Sequence, residues 1–174
     1  MYRSVSRLVC VLISLLFLFA FAHSGFADSQ DVKGLSNGSS YYIKNSSGMK
    51  YMVGNASTLT TVSLSSFSES NNFIWILERT NNGLYYIKSK ANPNRVLTVS
   101  GSALIISARN NNNNTNQTFT ISRVTTGVEK GTYKIKHGSQ YVVRNSNSVS
   151  LSGLGAHRNA CWCFETSYKG NADM

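Results

Sequence analysis

Apolar and polar residues alternate along this chain in short runs, and the runs recur. Tyr41-Tyr42-Ile43-Lys44 returns as Tyr85-Tyr86-Ile87-Lys88 and, with one residue changed, as Tyr133-Lys134-Ile135-Lys136. A second hydrophobic mark follows each copy: Tyr51-Met52-Val53, Leu97-Thr98-Val99 and Tyr141-Val142-Val143. A third mark closes each unit, as Phe73-Ile74-Trp75, Gln117-Thr118-Phe119 and Trp162-Cys163-Phe164, so a large aromatic (Trp75, Phe119, Phe164) recurs every 44 or 45 residues. Between the marks, Val62-Ser63-Leu64, Leu104-Ile105-Ile106, Phe119-Thr120-Ile121 and Val149-Ser150-Leu151 have the period of half-buried strands. Asn37-Gly38, Asn82-Gly83, Ser100-Gly101 and Ser152-Gly153 punctuate them as turn dipeptides. The spacing leaves no room for helices of ordinary length and gives about four strand candidates per unit. Three such units predict an all-β chain of twelve short strands. A β-trefoil, a six-stranded barrel capped by three hairpins, closes that set without exposed edges.

Residues 1–27 read differently. Arg3 and Arg7 precede an apolar run from Leu8 to Ala22, and Gly25-Phe26-Ala27 offers a small-residue cleavage site. That run is shorter than the roughly 20 residues of a spanning helix, so a secretory signal peptide is expected, with no transmembrane segment. The expected division is signal peptide 1–27, linker 28–37, β-trefoil domain 38–167 and tail 168–174. Without residues 1–27 the chain keeps 15 basic and 7 acidic side chains, a net charge of +8. Such a balance favours polyanions, whether anionic (sulfated) polysaccharide, anionic membrane or nucleic acid, yet the bases stand singly and never form a run. Cys161 and Cys163 are the cysteines left. Their i, i+2 spacing in a strand puts the Cα atoms roughly 6.5–7 Å apart, at the limit for a disulfide, so free thiols are expected.

The repeats carry a resemblance to a known family. Tyr51-Met52-Val53 closed by Asn72-Phe73-Ile74-Trp75, and above all Asn116-Gln117-Thr118-Phe119, resemble the repeat of ricin B-chain type (R-type) lectins, whose closing pattern is Asn-Gln-x-Trp. The resemblance covers 38–167 and implies a β-trefoil that binds glycans, without cofactor and without reaction. In the family an Asp after the apolar residue of the second mark holds galactose; the positions read here as matching are Met52, Thr98 and Val142, and none is a carboxylate. The sugar-holding Asn is matched by Asn72 and Asn116 and, on this alignment, replaced by Cys161. The Gln that braces the Asp is matched by Gln117 alone. The usual Asp-dependent galactose site is therefore not expected.

Sugar recognition must then rest on aromatic stacking and amide hydrogen bonds. The candidate carbohydrate-binding residues are Tyr141, His157, Arg158, Asn159 and Trp162 in the third unit, with Asn72, Asn116 and Gln117. Asn-x-Ser/Thr sequons stand at Asn37, Asn45, Asn55, Asn113 and Asn116, each a candidate glycosylation site. Glu69, Glu78, Glu129 and Glu165 and the histidines His137 and His157 fall in no catalytic or metal-binding motif, so no enzyme and no cofactor are expected; Glu78 and Glu165 read as exposed strand ends. A secreted glycan-binding module is the leading expectation. Two alternatives remain open: a β-trefoil protease inhibitor presenting rigid loops, and a basic cytokine-like or effector protein binding sulfated polysaccharide.

Overall fold

The computed structural model describes residues 34–54, 61–110 and 115–166. The expected signal peptide, most of the linker, the tail, Asn55 and Asn113 lie outside them. The chain is all-β: the described residues form twelve strands and three one-turn 3-10 helices. Among them no helix is long and apolar enough to cross a membrane.

Six strands close into a ring. These are β1 (Ser40–Asn45), β4 (Ile74–Arg79), β5 (Tyr85–Ser89), β8 (Thr120–Arg123), β9 (Tyr133–His137) and β12 (Trp162–Glu165). Strand β1 pairs with β4 and β12, β4 with β5, β8 with β9, and β9 with β12. A bridge from Tyr85 to Phe119, just ahead of β8, joins the remaining neighbours. The other six strands form hairpins: β2 (Tyr51–Val53) with β3 (Ser63–Ser65), β6 (Arg95–Ser100) with β7 (Ala103–Ala108), and β10 (Gln140–Asn145) with β11 (Ser148–Ser152). The hairpins touch one another through Ser63 and Ser148, Ala103 and Ser150, and the bridge from Thr61 to Ile105. Ring and hairpins together leave few free edges.

Local sequence explains the elements. In β1 the alternation puts Tyr41, Ile43 and Asn45 inside and leaves Tyr42 and Lys44 half-exposed. Gly38, Gly83 and Gly101 adopt φ of 77°, 81° and 61°, the left-handed region that their turns demand, while Gly153 does not. Gly54 is needed for space: a Cβ there would stand 2.1 Å from Ile106 Cδ1 and 2.8 Å from a ring carbon of Trp75.

The core is built from Tyr41, Tyr85 and Tyr133, from Ile43, Ile87 and Ile135, and from Trp75, Phe119 and Trp162. Trp162, not Phe164, is the third closing aromatic. Trp75 Nε1 donates to the Met52 carbonyl at 3.0 Å and Trp162 Nε1 to the Val142 carbonyl at 2.9 Å, and both rings are wholly buried. Phe164 is partly buried and packs edge-on against Tyr41 and Tyr133, with centroids at 5.7 and 5.2 Å. Leu35, in the expected linker, is also buried in the core, so packing starts before Gly38. Cys161 and Cys163 are free thiols, and burial pushes the Cys163 thiol up from its ordinary pKa.

Trp162→Ala removes a buried ring and an indole hydrogen bond, so it should destabilise the domain by about 3–5 kcal/mol in urea unfolding. Phe164→Ala should cost clearly less. Equal losses would mean that the core is not layered as described.

Candidate functional site

The three 3-10 turns, Asn71–Phe73, Thr115–Gln117 and Arg158–Ala160, each stand just ahead of a core aromatic. Asn72, Asn116 and Asn159 hold the middle place of these turns. The third asparagine is thus Asn159 and has not been lost to Cys161, which is buried two residues further on. Hairpin register makes a second correction. Met52 lies opposite Leu64, Leu97 opposite Ile106 and Val142 opposite Leu151, all of them buried. The residues that follow, Val53, Thr98 and Val143, therefore correspond, so Thr98 is matched by Val53 and Val143 and not by Met52 and Val142. None of the three is a carboxylate.

Only the middle hairpin places a hydroxyl there, and it is embedded in a polar cluster. Gln117 is buried; its Nε2 donates to Ser107 Oγ at 3.0 Å, the Ala108 carbonyl at 2.9 Å and Thr98 Oγ1 at 3.2 Å. Its Oε1 accepts from the Asn110 amide at 2.8 Å, and the Thr98 and Ser107 hydroxyls are 2.7 Å apart. Phe119 has no N–H to tie the barrel to this hairpin, and the Gln117 amide makes the connection. Ser107 is half-exposed and Asn116 exposed, so the cluster reaches the surface through one hydroxyl and one carboxamide. Sequence reasoning named Gln117 and Asn116 but missed Ser107. The alternation Ile105-Ile106-Ser107 was the available signal, since a polar residue ends the apolar run.

The third unit is arranged differently from the sequence expectation. Trp162 is wholly buried and out of a ligand's reach. Tyr141 lies beneath Gly155, where a Cβ would come within 2.3 Å of the ring, and Lys136 Nζ stands 5.0 Å from its centroid. His157, Arg158 and Asn159 are exposed, but their turn is fastened to the first unit. Asn45 Nδ2 donates to the Asn159 and Cys161 carbonyls at 2.9 and 3.1 Å, and Ser47 Oγ donates to Asn159 Oδ1 at 2.9 Å. Arg158 pairs with Glu129. Burial alone would raise the Glu129 pKa; hydrogen bonds from Ser46 and Arg158 and the nearby cations outweigh it and hold the carboxyl below its ordinary 4.5. In the first unit Asn72 is half-buried, and its carbonyl accepts from Gly54 N at 2.9 Å.

The sequons separate in the same way. Asn45 is wholly buried with both amide protons engaged, so a glycan on its Nδ2 is incompatible with this structure. Asn37 and Asn116 are exposed. Glu78 and Glu165 are not bare strand ends: Lys88 Nζ lies 2.9 Å from Glu78, and Lys44 Nζ lies 2.6 Å from Glu165.

No protein-family model and no curated protein matches the chain. Solved structures do. A mosquitocidal holotoxin matches with a TM-score of 0.67 and 17% identity, over 77% of this chain and 18% of the toxin. The ricin B-like lectin of Macrolepiota procera, solved with lactose, matches with a TM-score of 0.64 and 11% identity, over 76% of this chain and 99% of the lectin. SeviL, solved with an asialo-GM1 saccharide, matches with a TM-score of 0.62 and 15% identity, over 76% of this chain and 100% of that protein. The chain thus shares the fold of these proteins. It spans less than a fifth of the toxin's length but nearly the whole length of the two saccharide complexes.

Gln117→Ala removes one hydrogen-bond partner each from two hydroxyls, a carbonyl and a backbone amide, and should cost about 1–3 kcal/mol in urea unfolding. Asn116→Ala, at the exposed neighbour, should stay within about 0.5 kcal/mol.

A second expectation concerns acid. Glu129 has a folded pKa below its unfolded value, so its contribution is present above pH 4.5 and is lost as pH falls through the folded value. Glu129→Gln should therefore melt earlier than the parent at pH 7, and the gap should narrow in melts taken at successively lower pH below 4.5. A gap independent of pH would refute the clamp.

Proposed function

We propose that the chain is a secreted carbohydrate-binding protein, a ricin B-type β-trefoil of three pseudo-symmetric repeats, with no Asp-dependent galactose site and no enzymatic activity. One observation carries the reading: the fold spans essentially the full length of two proteins solved with bound saccharides. A domain that spans such proteins from end to end is well suited to the same kind of task. The chemistry of the middle repeat agrees with it. Ser107 and Asn116 present a hydroxyl and a carboxamide at the surface beside the buried Thr98 and Gln117, and both groups donate and accept, as sugar hydroxyls require. In the third repeat His157, Arg158 and Asn159 offer further exposed polar groups, on a turn held to the first unit. Trp162, wholly buried in the core, takes no part in binding.

With no carboxylate to accept from two adjacent hydroxyls, single-site affinity should be modest and selectivity broad. Catalysis has no visible basis in the cluster, since it holds no titratable group.

The test is a glycan array probed with the full chain, followed by titration of the best neutral hit. At least one neutral glycan should bind, and Thr98→Val, which keeps the shape and removes the buried hydroxyl that orients the half-exposed Ser107 Oγ, should weaken it about tenfold, the value of one hydrogen bond of about 1.4 kcal/mol. Free galactose at millimolar concentration should not compete. An array without signal, or a hit indifferent to Thr98→Val, counts against the assignment.

A further inference from the structure

Strand register identifies one place that recurs around the ring and is furnished differently each time. Tyr42 on β1 lies opposite Glu165, Tyr86 on β5 opposite Glu78, and Lys134 on β9 opposite Ser122. The corresponding hairpin residue is two beyond the strand pair Tyr51/Ser65, Val96/Ser107 or Tyr141/Ser152, which gives Phe67, Arg109 and Leu154. In the first place Phe67 packs edge-on against Tyr42 and Tyr51, with centroids at 5.1 and 5.3 Å, and the Tyr51 hydroxyl donates to Glu165 at 3.0 Å, so side chains fill it. In the third, Lys134 is bonded to the Gly155 carbonyl and the cavity is about 240 Å³.

The second place is open. A cavity of about 550 Å³ lies between the β4–β5 turn and the chain after β7, within the 300–1,000 Å³ typical of ligand pockets. Arg109 stacks on Tyr86, 4.4 Å from the ring centroid, and its Nη2 lies 2.7 Å from Glu78. Lys88 holds the other Glu78 oxygen, so two cations share one carboxylate, and Arg79 stands elsewhere in the cavity wall. The Nε of Arg109 is buried without a hydrogen-bond partner, which leaves the guanidinium a donor to gain if it turns toward an incoming acceptor. Hydroxyls and amides of Thr80, Asn81, Thr115 and Thr118 complete the walls around the apolar patch of Leu84.

We propose that this cavity is a saccharide site separate from the Thr98–Gln117 cluster and selective for sugars that carry a carboxylate or sulfate group. The proposal rests on the glycan-binding reading above and adds where an acidic sugar goes. Arg109 and Arg79 meet the anion, because a guanidinium fork matches a planar carboxylate or a sulfate with two parallel hydrogen bonds. Glu78 keeps Lys88 as its partner when Arg109 turns, so no carboxylate is left bare. Hydroxyls and amides on the walls receive the sugar's own hydroxyls, and Leu84 takes its apolar face.

The test titrates the full chain with methyl glucuronide, galactose 6-sulfate, their uncharged parents, and inorganic sulfate. At least one acidic sugar should bind about tenfold more tightly than its parent, and added salt should shrink the difference. Arg109→Gln should remove the preference and Asn81→Trp in the exposed turn should block binding, each variant first confirmed folded by thermal melting. Equal affinity for charged and uncharged sugars overturns the proposal, as does a preference that survives Arg109→Gln. Sulfate alone binding as well as galactose 6-sulfate would make the cavity an anion site and overturn its saccharide part. If no acidic sugar binds while the neutral array hit remains sensitive to Thr98→Val, this site falls and the lectin reading stands.

Discussion

A buried indole N–H must find an acceptor, and the way Trp75 and Trp162 find theirs holds the ring of strands to its cap. Each ring lies in the barrel core while its Nε1 reaches a carbonyl of a hairpin strand, at Met52 and Val142. Apolar packing between barrel and hairpins would allow them to slide; a directional bond in a dry interior fixes where each hairpin sits. Burying a ring of this size removes about 150–250 Å² from water, so the same two residues supply both cohesion and register. The middle unit solves the problem by another route. Phe119 has nothing to donate, and Gln117, three hydrogen bonds deep in the β6–β7 hairpin, takes over the fastening. The polar cluster offered for sugar binding is therefore also a structural joint.

The ring was legible in the sequence because every second barrel strand, β1, β5 and β9, repeats nearly the same letters, and the β4–β5 and β6–β7 turns followed from Gly83 and Gly101, which stand at positive φ. The layering was harder to read. Trp162 and Phe164 are two apart in one strand, so both face inward and alternation cannot say which is the deeper. The signal that does separate them is the asparagine three residues ahead of each core aromatic: Asn72 before Trp75, Asn116 before Phe119, Asn159 before Trp162. A reading anchored on that spacing recovers the third turn and returns Asn159 to the place given to Cys161. A separate shift of one residue put the comparison with the galactose-binding position onto Met52 and Val142, which face the core.

The open cavity could not have been read from the chain. Glu78, Tyr86 and Arg109 come from three strands or strand ends, and nothing local marks them as neighbours. Their grouping depends on hairpin register, and its openness on one exchange: an arginine where another unit has Phe67. A phenylalanine joins the aromatic cluster and fills the space, whereas an arginine lies flat on its tyrosine and keeps a charge at the surface. Scattered single bases, which looked like a diffuse solvated surface, are thus gathered by folding into a local excess of positive charge around Glu78.

Asn45 has a consequence of a different kind. Its side-chain amide is spent inside the domain, on two carbonyls that come more than a hundred residues later in the chain. Those carbonyls do not exist until the third unit has been made, so for much of synthesis the Asn45 sequon is as accessible as any other. In a cell that modifies nascent chains, attachment of sugar and completion of the fold compete for one nitrogen atom, and whichever acts first excludes the other. Occupancy at Asn45 would then measure time rather than preference: a clock that compares how fast the last strand arrives with how fast the modifying machinery works.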